Sequence, residues 1–165
     1  MVLNRSHLSL LKSHFEEGFT LVELLVVMGI AGLLLSLIVI NLIRPQISTA
    51  VTGSTDLLVS DLKQQQIRAM SGEGVAGIYF EKASYTLFNG LAYSSDDPGN
   101  FTVSLPNSLE FTANNFPNSI LVFASGSGEV VGYVSGLDSV KIGNPLGGDT
   151  RTVKINRYGV VTRVN

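Results

Sequence analysis

The chain has 165 residues, a net charge of −2 and no cysteine, so disulfides and thiol chemistry are excluded and the charge is too small to name a partner. Its length suits one modest domain plus an anchor, and much of its 45% hydrophobic content falls in a single span. Its two histidines, His7 and His14, both precede Gly18, so a chain cut there would hold neither His nor Cys. That removes Ser-His-Asp and Cys-His catalysis and every ordinary zinc site, and the expectation is a non-enzyme with no metal and no cofactor.

Residues 1–18 carry Arg5 and Lys12, with Glu16 and Glu17 just before Gly18. A secretory signal would place its apolar region before the cleavage site, whereas here the apolar region follows. Positive charge ahead of the span places the N-terminus in the cytoplasm. An uncleaved signal anchor would share that topology.

Residues 19–43 form the apolar span, long enough at 1.5 Å of rise per residue to cross a hydrocarbon layer of about 30 Å. Its one formal charge is Glu23. A carboxylate at bilayer depth costs about 2.5–3.5 kcal/mol, so it needs a partner or a position close to the wet interface. In the first helical turn the macrodipole also favours it. A cut between Gly18 and Phe19 would create an α-amino group four residues away, on the same chain or on a neighbour packed alongside. Gly29, Gly32 and Ser36 form a strip of small residues at which helix backbones can approach closely.

Arg44 can snorkel to the outer headgroups, and Pro45 marks a kink or a short break. Residues 44–72 continue as an amphipathic helix, with Ile47, Val51, Leu58, Leu62 and Ala69 at near-heptad spacing and Leu57, Ile67 and Met70 beside them. Lys63 to Gln66 read as a solvated face, and the Gly72–Gly74 run stops the helix.

From 73 to 165 the period becomes two. Ile78–Phe80 and Tyr85–Phe88 read as strands, with Asn89-Gly90 as a tight turn. Phe101, Val103 and Leu105 alternate with polar residues, as do Leu109, Phe111 and Ala113. Ile120–Phe123 reads as a fully buried strand, followed by a glycine turn at 126–128 and a strand over Val130–Val134. A last pair is expected at 152–155 and 160–164. The class is therefore α+β: a long N-terminal transmembrane helix packed on a β-rich, antiparallel, two-sheet head. Asp96-Asp97-Pro98-Gly99-Asn100 reads as a turn, because it lacks the spaced oxygen ligands of a calcium loop.

Gly18-Phe19-Thr20-Leu21-Val22-Glu23 followed by an unbroken apolar helix resembles the processing motif of the type IV pilin and type II secretion pseudopilin superfamily. The resemblance implies cleavage after Gly18 by a prepilin peptidase, N-methylation of Phe19, and a role for Glu23 in filament assembly. It further implies partners in other pilin or pseudopilin subunits, an inner-membrane assembly platform and the lipid bilayer. The location implied is the bacterial inner membrane, single-pass with the head extracytoplasmic, and afterwards the pilus or pseudopilus. Glu16-Glu17 departs from the basic residue that usually precedes the glycine. The order of elements in the head looks like the minor pseudopilin type called GspH/FimT-like.

Charge is segregated along the head. Acids Glu73, Glu81, Asp96, Asp97, Glu110, Glu129 and Asp138 face only Lys82, and then Lys141, Arg151, Lys154, Arg157 and Arg163 face only Asp149. A DNA contact through Arg151, Lys154, Arg157 and Arg163, as in a minor pilin of a competence pilus, is the second reading. It is not favoured, since Arg151 and Lys154 should point to opposite faces of one strand. An acid–base contact between neighbouring subunits, or the solvated edge of a sheet, is preferred.

Overall fold

The computed structural model describes residues 18–165 apart from Asn107, and the side chains of residues 37–47 fall outside the description. The expected leader, save Gly18, therefore lies outside the described residues, as do the side chains of Arg44, Pro45 and Ile47. Helix α1 spans Leu21–Met70. Position 45 is helical, so Pro45 does not interrupt the element as a short break would. The chain divides into one unit up to Ile40 and a second from Asn41.

In the first unit, α1 is apolar on all sides and its large side chains from Leu21 to Leu35 are exposed. Among the described residues no helix is long and apolar enough to cross a membrane. The span expected at 19–43 runs into positions whose side chains are not described.

The second unit is built on the C-terminal half of α1. Val51, Thr55, Leu58, Leu62, Gln65 and Ala69 are buried at alternating steps of four and three, a heptad seam. Thr55 enters it because its hydroxyl donates to the Val51 carbonyl at 2.7 Å. The expected solvated face at 63–66 is half right. Lys63 and Gln64 are exposed, but Gln65 is buried and the Gln66 amide donates to the carbonyls of Tyr158 (2.6 Å) and Gly128 (3.2 Å). A Cβ at Gly159 would strike Gln66 Nε2 and the Gly128 carbonyl oxygen, and its φ of +78° also suits glycine alone.

Among the described residues eight antiparallel strands follow: β1 Ala76–Phe80, β2 Ser84–Asn89, β3 Phe101–Ser104, β4 Glu110–Asn114, β5 Ile120–Phe123, β6 Ser139–Gly143, β7 Thr150–Ile155 and β8 Val161–Val164. They form two sheets, β3-β2-β1-β5 (sheet A) and β4-β6-β7-β8 (sheet B). Ile78, Phe80, Tyr85, Leu121 and Phe123 from sheet A share one core with Phe111, Val140, Ile142, Val153 and Ile155 from sheet B and with the seam of α1. Phe80 bridges the sheets, edge-on to Phe111 at 5.4 Å and stacked on Phe116 at 5.5 Å. The Tyr85 hydroxyl, emerging from this core, donates to Asp61 of α1 at 2.5 Å. Burial first, then that bond and the negative charge of Asp61, push its phenol well above its ordinary value.

Two strand expectations need correction. Val130–Val134 is not a strand. Val130 makes only an isolated bridge to Phe123, and Gly132, at φ +65°, turns the chain away. Ala113 is exposed, because a bulge between Phe111 and Ala113 slips it out of the inward row. β6, the partner of both β4 and β7, was not expected from the sequence.

Candidate functional site

Gly18, Phe19 and Thr20 precede the first turn of α1. The bond between Gly18 and Phe19 thus lies outside the helical ladder, and the Phe19 ring is 84% exposed. Thr20 caps the helix. Its hydroxyl oxygen accepts the Glu23 N–H at 3.2 Å, and its carbonyl accepts the Leu24 N–H at 3.1 Å. Thr20 was not singled out in the sequence, although Thr20-Leu21-Val22-Glu23 has the Thr-x-x-Glu spacing of a capping box. Glu23 is exposed, and among the described residues it belongs to no ion pair. Its negative charge sits at the positive end of the helix dipole, open to a cation from outside this turn.

A Cβ built on Gly29 or Gly32 would meet no atom within 4 Å. Each glycine costs about 1 kcal/mol against alanine, and no contact in the described chain offsets it. The Ser36 hydroxyl donates to the Leu33 carbonyl at 2.7 Å, so it presents no unmet donor to an apolar neighbour.

The basic residues of the head separate into different surfaces. On β7, Val153 and Ile155 are buried and Lys154 is exposed, whereas half-buried Arg151 shares the inward parity of Val153. Arg157 is exposed in the turn before β8, and its carbonyl accepts the Val130 N–H at 2.9 Å. Only Lys154 and Arg163 come together, directly opposite each other across β7 and β8. The Lys154 ammonium lies 3.5 Å from Asp138, whose carboxylate also accepts the Tyr133 hydroxyl at 2.9 Å. That bond is the main reason the Tyr133 phenol is raised above its ordinary value. Asp138, counted in the sequence among the acids of the head, is only 2% exposed and clamps the 130–138 segment to β7.

Residues 14–39 match the prokaryotic N-terminal methylation motif. The chain carries a prepilin-type methylation motif on a pseudopilin fold. The fold likeness is to the minor pseudopilin EpsH from the type 2 secretion system of Vibrio cholerae, with a TM-score of 0.50 and 15% identity over 70% of this chain and 95% of that one. No curated protein matches this pseudopilin-like chain in sequence. The expected helix followed by an antiparallel two-sheet head is the architecture present.

Proposed function

We propose that this chain is a structural minor subunit of a pilin-like filament, of the type II secretion pseudopilus or a type IV pilus. The observation that carries the reading is the methylation motif at residues 14–39, whose Gly18–Phe19 bond lies just outside a capped apolar helix. The precursor sits in the inner membrane by its 19–43 span, with residues 1–18 cytoplasmic and the head outside. Prepilin peptidase cuts between Gly18 and Phe19, and the Phe19 amine is methylated. Subunits then move from lipid into an apolar helical bundle, because the two environments solvate the helix alike. Glu23 directs the step, its charge being best satisfied by the terminal amine of a neighbour. Gly29, Gly32 and Ser36 are where helices approach closely. The likeness to a type 2 secretion pseudopilin favours a role in protein secretion.

The test is mass spectrometry of the N-terminus after co-expression with a prepilin peptidase. The expected peptide begins with N-methylated Phe19. A mature protein still carrying Met1 through Gly18 overturns the reading. DNA capture by a competence-type minor pilin is supported only by the Lys154–Arg163 pair, since Arg151 and Arg157 lie elsewhere.

A further inference from the structure

Arg151 is an arginine on the wrong side of sheet B. Its direct partner across β6 and β7 is Ile142, which is fully buried, so Arg151 shares the inward side of the sheet with Ile142 and Val153. A half-buried guanidinium calls for an anion to answer it. Among the described residues Arg151 belongs to no ion pair. It borders an open cleft of about 260 Å³, walled by Ser48, Val51 and Thr52 of α1 and by Asp149, Arg151 and Asn165 on the sheet side.

The cleft carries both signs of charge. Asp149 is exposed and, like Arg151, belongs to no ion pair among the described residues, so the two charges are not spent on each other. The Asn165 carbonyl accepts the Thr152 N–H at 2.7 Å, and the Thr52 hydroxyl donates to the Ser48 carbonyl at 3.1 Å. The planar fork of a guanidinium matches a phosphate, and a carboxylate beside it matches an ammonium. Height along the helix agrees with that chemistry. The apolar span ends at Ile43, and Ser48 follows on the same unbroken helix about 7.5 Å higher, at 1.5 Å per residue. The headgroup layer adds about 5–7.5 Å to each side of the hydrocarbon. In the anchored precursor the helix wall of the cleft therefore begins at headgroup level.

We propose that the Arg151–Asp149 cleft binds the headgroup of a zwitterionic phospholipid bearing a primary ammonium. The phosphodiester sits on Arg151, and the ammonium, a short ethylene arm away, donates to Asp149. A purely anionic headgroup would leave Asp149 unanswered, and a quaternary ammonium has no N–H to donate. The clamp rests on the membrane-anchored precursor of the reading above. It holds the base of the head on the bilayer while the subunit waits in lipid, and gives way when the subunit is drawn into the filament.

The test uses the full chain in vesicles of phosphatidylethanolamine and phosphatidylcholine, treated with a water-soluble carbodiimide that joins a carboxylate to a primary amine in contact with it. Mass spectrometry of the digest locates the lipid adducts. The expected adduct is at Asp149, in excess over Asp56, an exposed acid further along α1. It falls about tenfold with Arg151→Gln, the loss of one charge-assisted hydrogen bond, and Arg151→Lys retains part of it. Since Arg151 has no partner to lose, the glutamine variant keeps its urea midpoint in detergent; a lowered midpoint marks Arg151 as a brace of the fold and overturns the clamp. No adduct at Asp149, an even spread over Asp56 and Asp149, or an Asp149 adduct indifferent to Arg151→Gln overturns the site and leaves the anchored precursor intact. A chain that does not float with the vesicles overturns the anchor and the clamp with it. An equal adduct from soluble glycerophosphoethanolamine on the detergent-solubilised chain, at the same headgroup concentration, identifies a soluble phosphodiester and overturns the lipid as its source.

Discussion

Tyr85→Phe isolates the polar tie between helix and head. The ring is fully buried, so phenylalanine keeps its packing and only the hydroxyl bond to Asp61 is lost. Hydrogen bonds to a charged group contribute about 1.5–3 kcal/mol. Asp61 is only half-buried, so water can replace the phenol, and the low end applies: about 1.5 kcal/mol, or roughly tenfold in the unfolding equilibrium. Urea unfolding of the full chain in detergent should show a lower midpoint at unchanged slope. Alkali adds a second signature. The folded phenol is pushed up by burial and by Asp61, while the unfolded one ionises from about pH 10. The stabilisation is therefore complete below about pH 10 and declines as pH rises past it, by up to about 1.4 kcal/mol per unit. The phenylalanine variant lacks that decline, so the gap between the two proteins narrows toward about pH 11. Equal midpoints at neutral pH, or a gap unchanged in alkali, would refute the reasoning.

Thr20→Ala removes the helix cap and should cost the first turn about 0.5–2 kcal/mol, seen as faster amide exchange at Glu23 and Leu24, while Thr20→Ser retains protection. Glu23→Ala should leave membrane insertion intact and lower filament incorporation, measured by fractionation and pull-down of assembled subunits; normal incorporation would exclude its directing role. Gly159→Ala should destabilise the head by about 1–3 kcal/mol, because the methyl group meets Gln66 and the Gly128 carbonyl in a left-handed backbone, and calorimetry of the full chain reads it directly.

The sequence showed the helix, the head and most strands because their signals are local. Apolar continuity marks 19–43, and alternation marks β1, β2 and β7. What it obscured lies where polar residues occupy inward positions. Thr55 and Gln65 break the apolar seam of α1 into fragments, yet the hydroxyl of Thr55 is satisfied one turn back. β6 was overlooked although Val140 and Ile142 alternate correctly, because five residues between Asp138 and Asn144-Pro145 make a short signal. Val130–Val134 erred the other way. β-branched residues there suggested a strand, and Gly132 and Gly136, both at positive φ, prevent one. At the N-terminus the motif was read and its cap was overlooked, although the Thr-x-x-Glu spacing of Thr20 and Glu23 marks it.

The heptad spacing of α1 repeats the geometry of the seam every seven residues, so that sliding by one repeat would bring Leu58 to the place of Val51 and Leu62 to that of Thr55. Gln66 removes that ambiguity. One amide reaches the carbonyls of two separate turns, so displacement by a single helical pitch strands three polar groups together. Hydrocarbon supplies the adhesion of head to stalk, and the Gln66 carboxamide, together with the Asp61–Tyr85 bond, indexes where along the stalk the head is fastened.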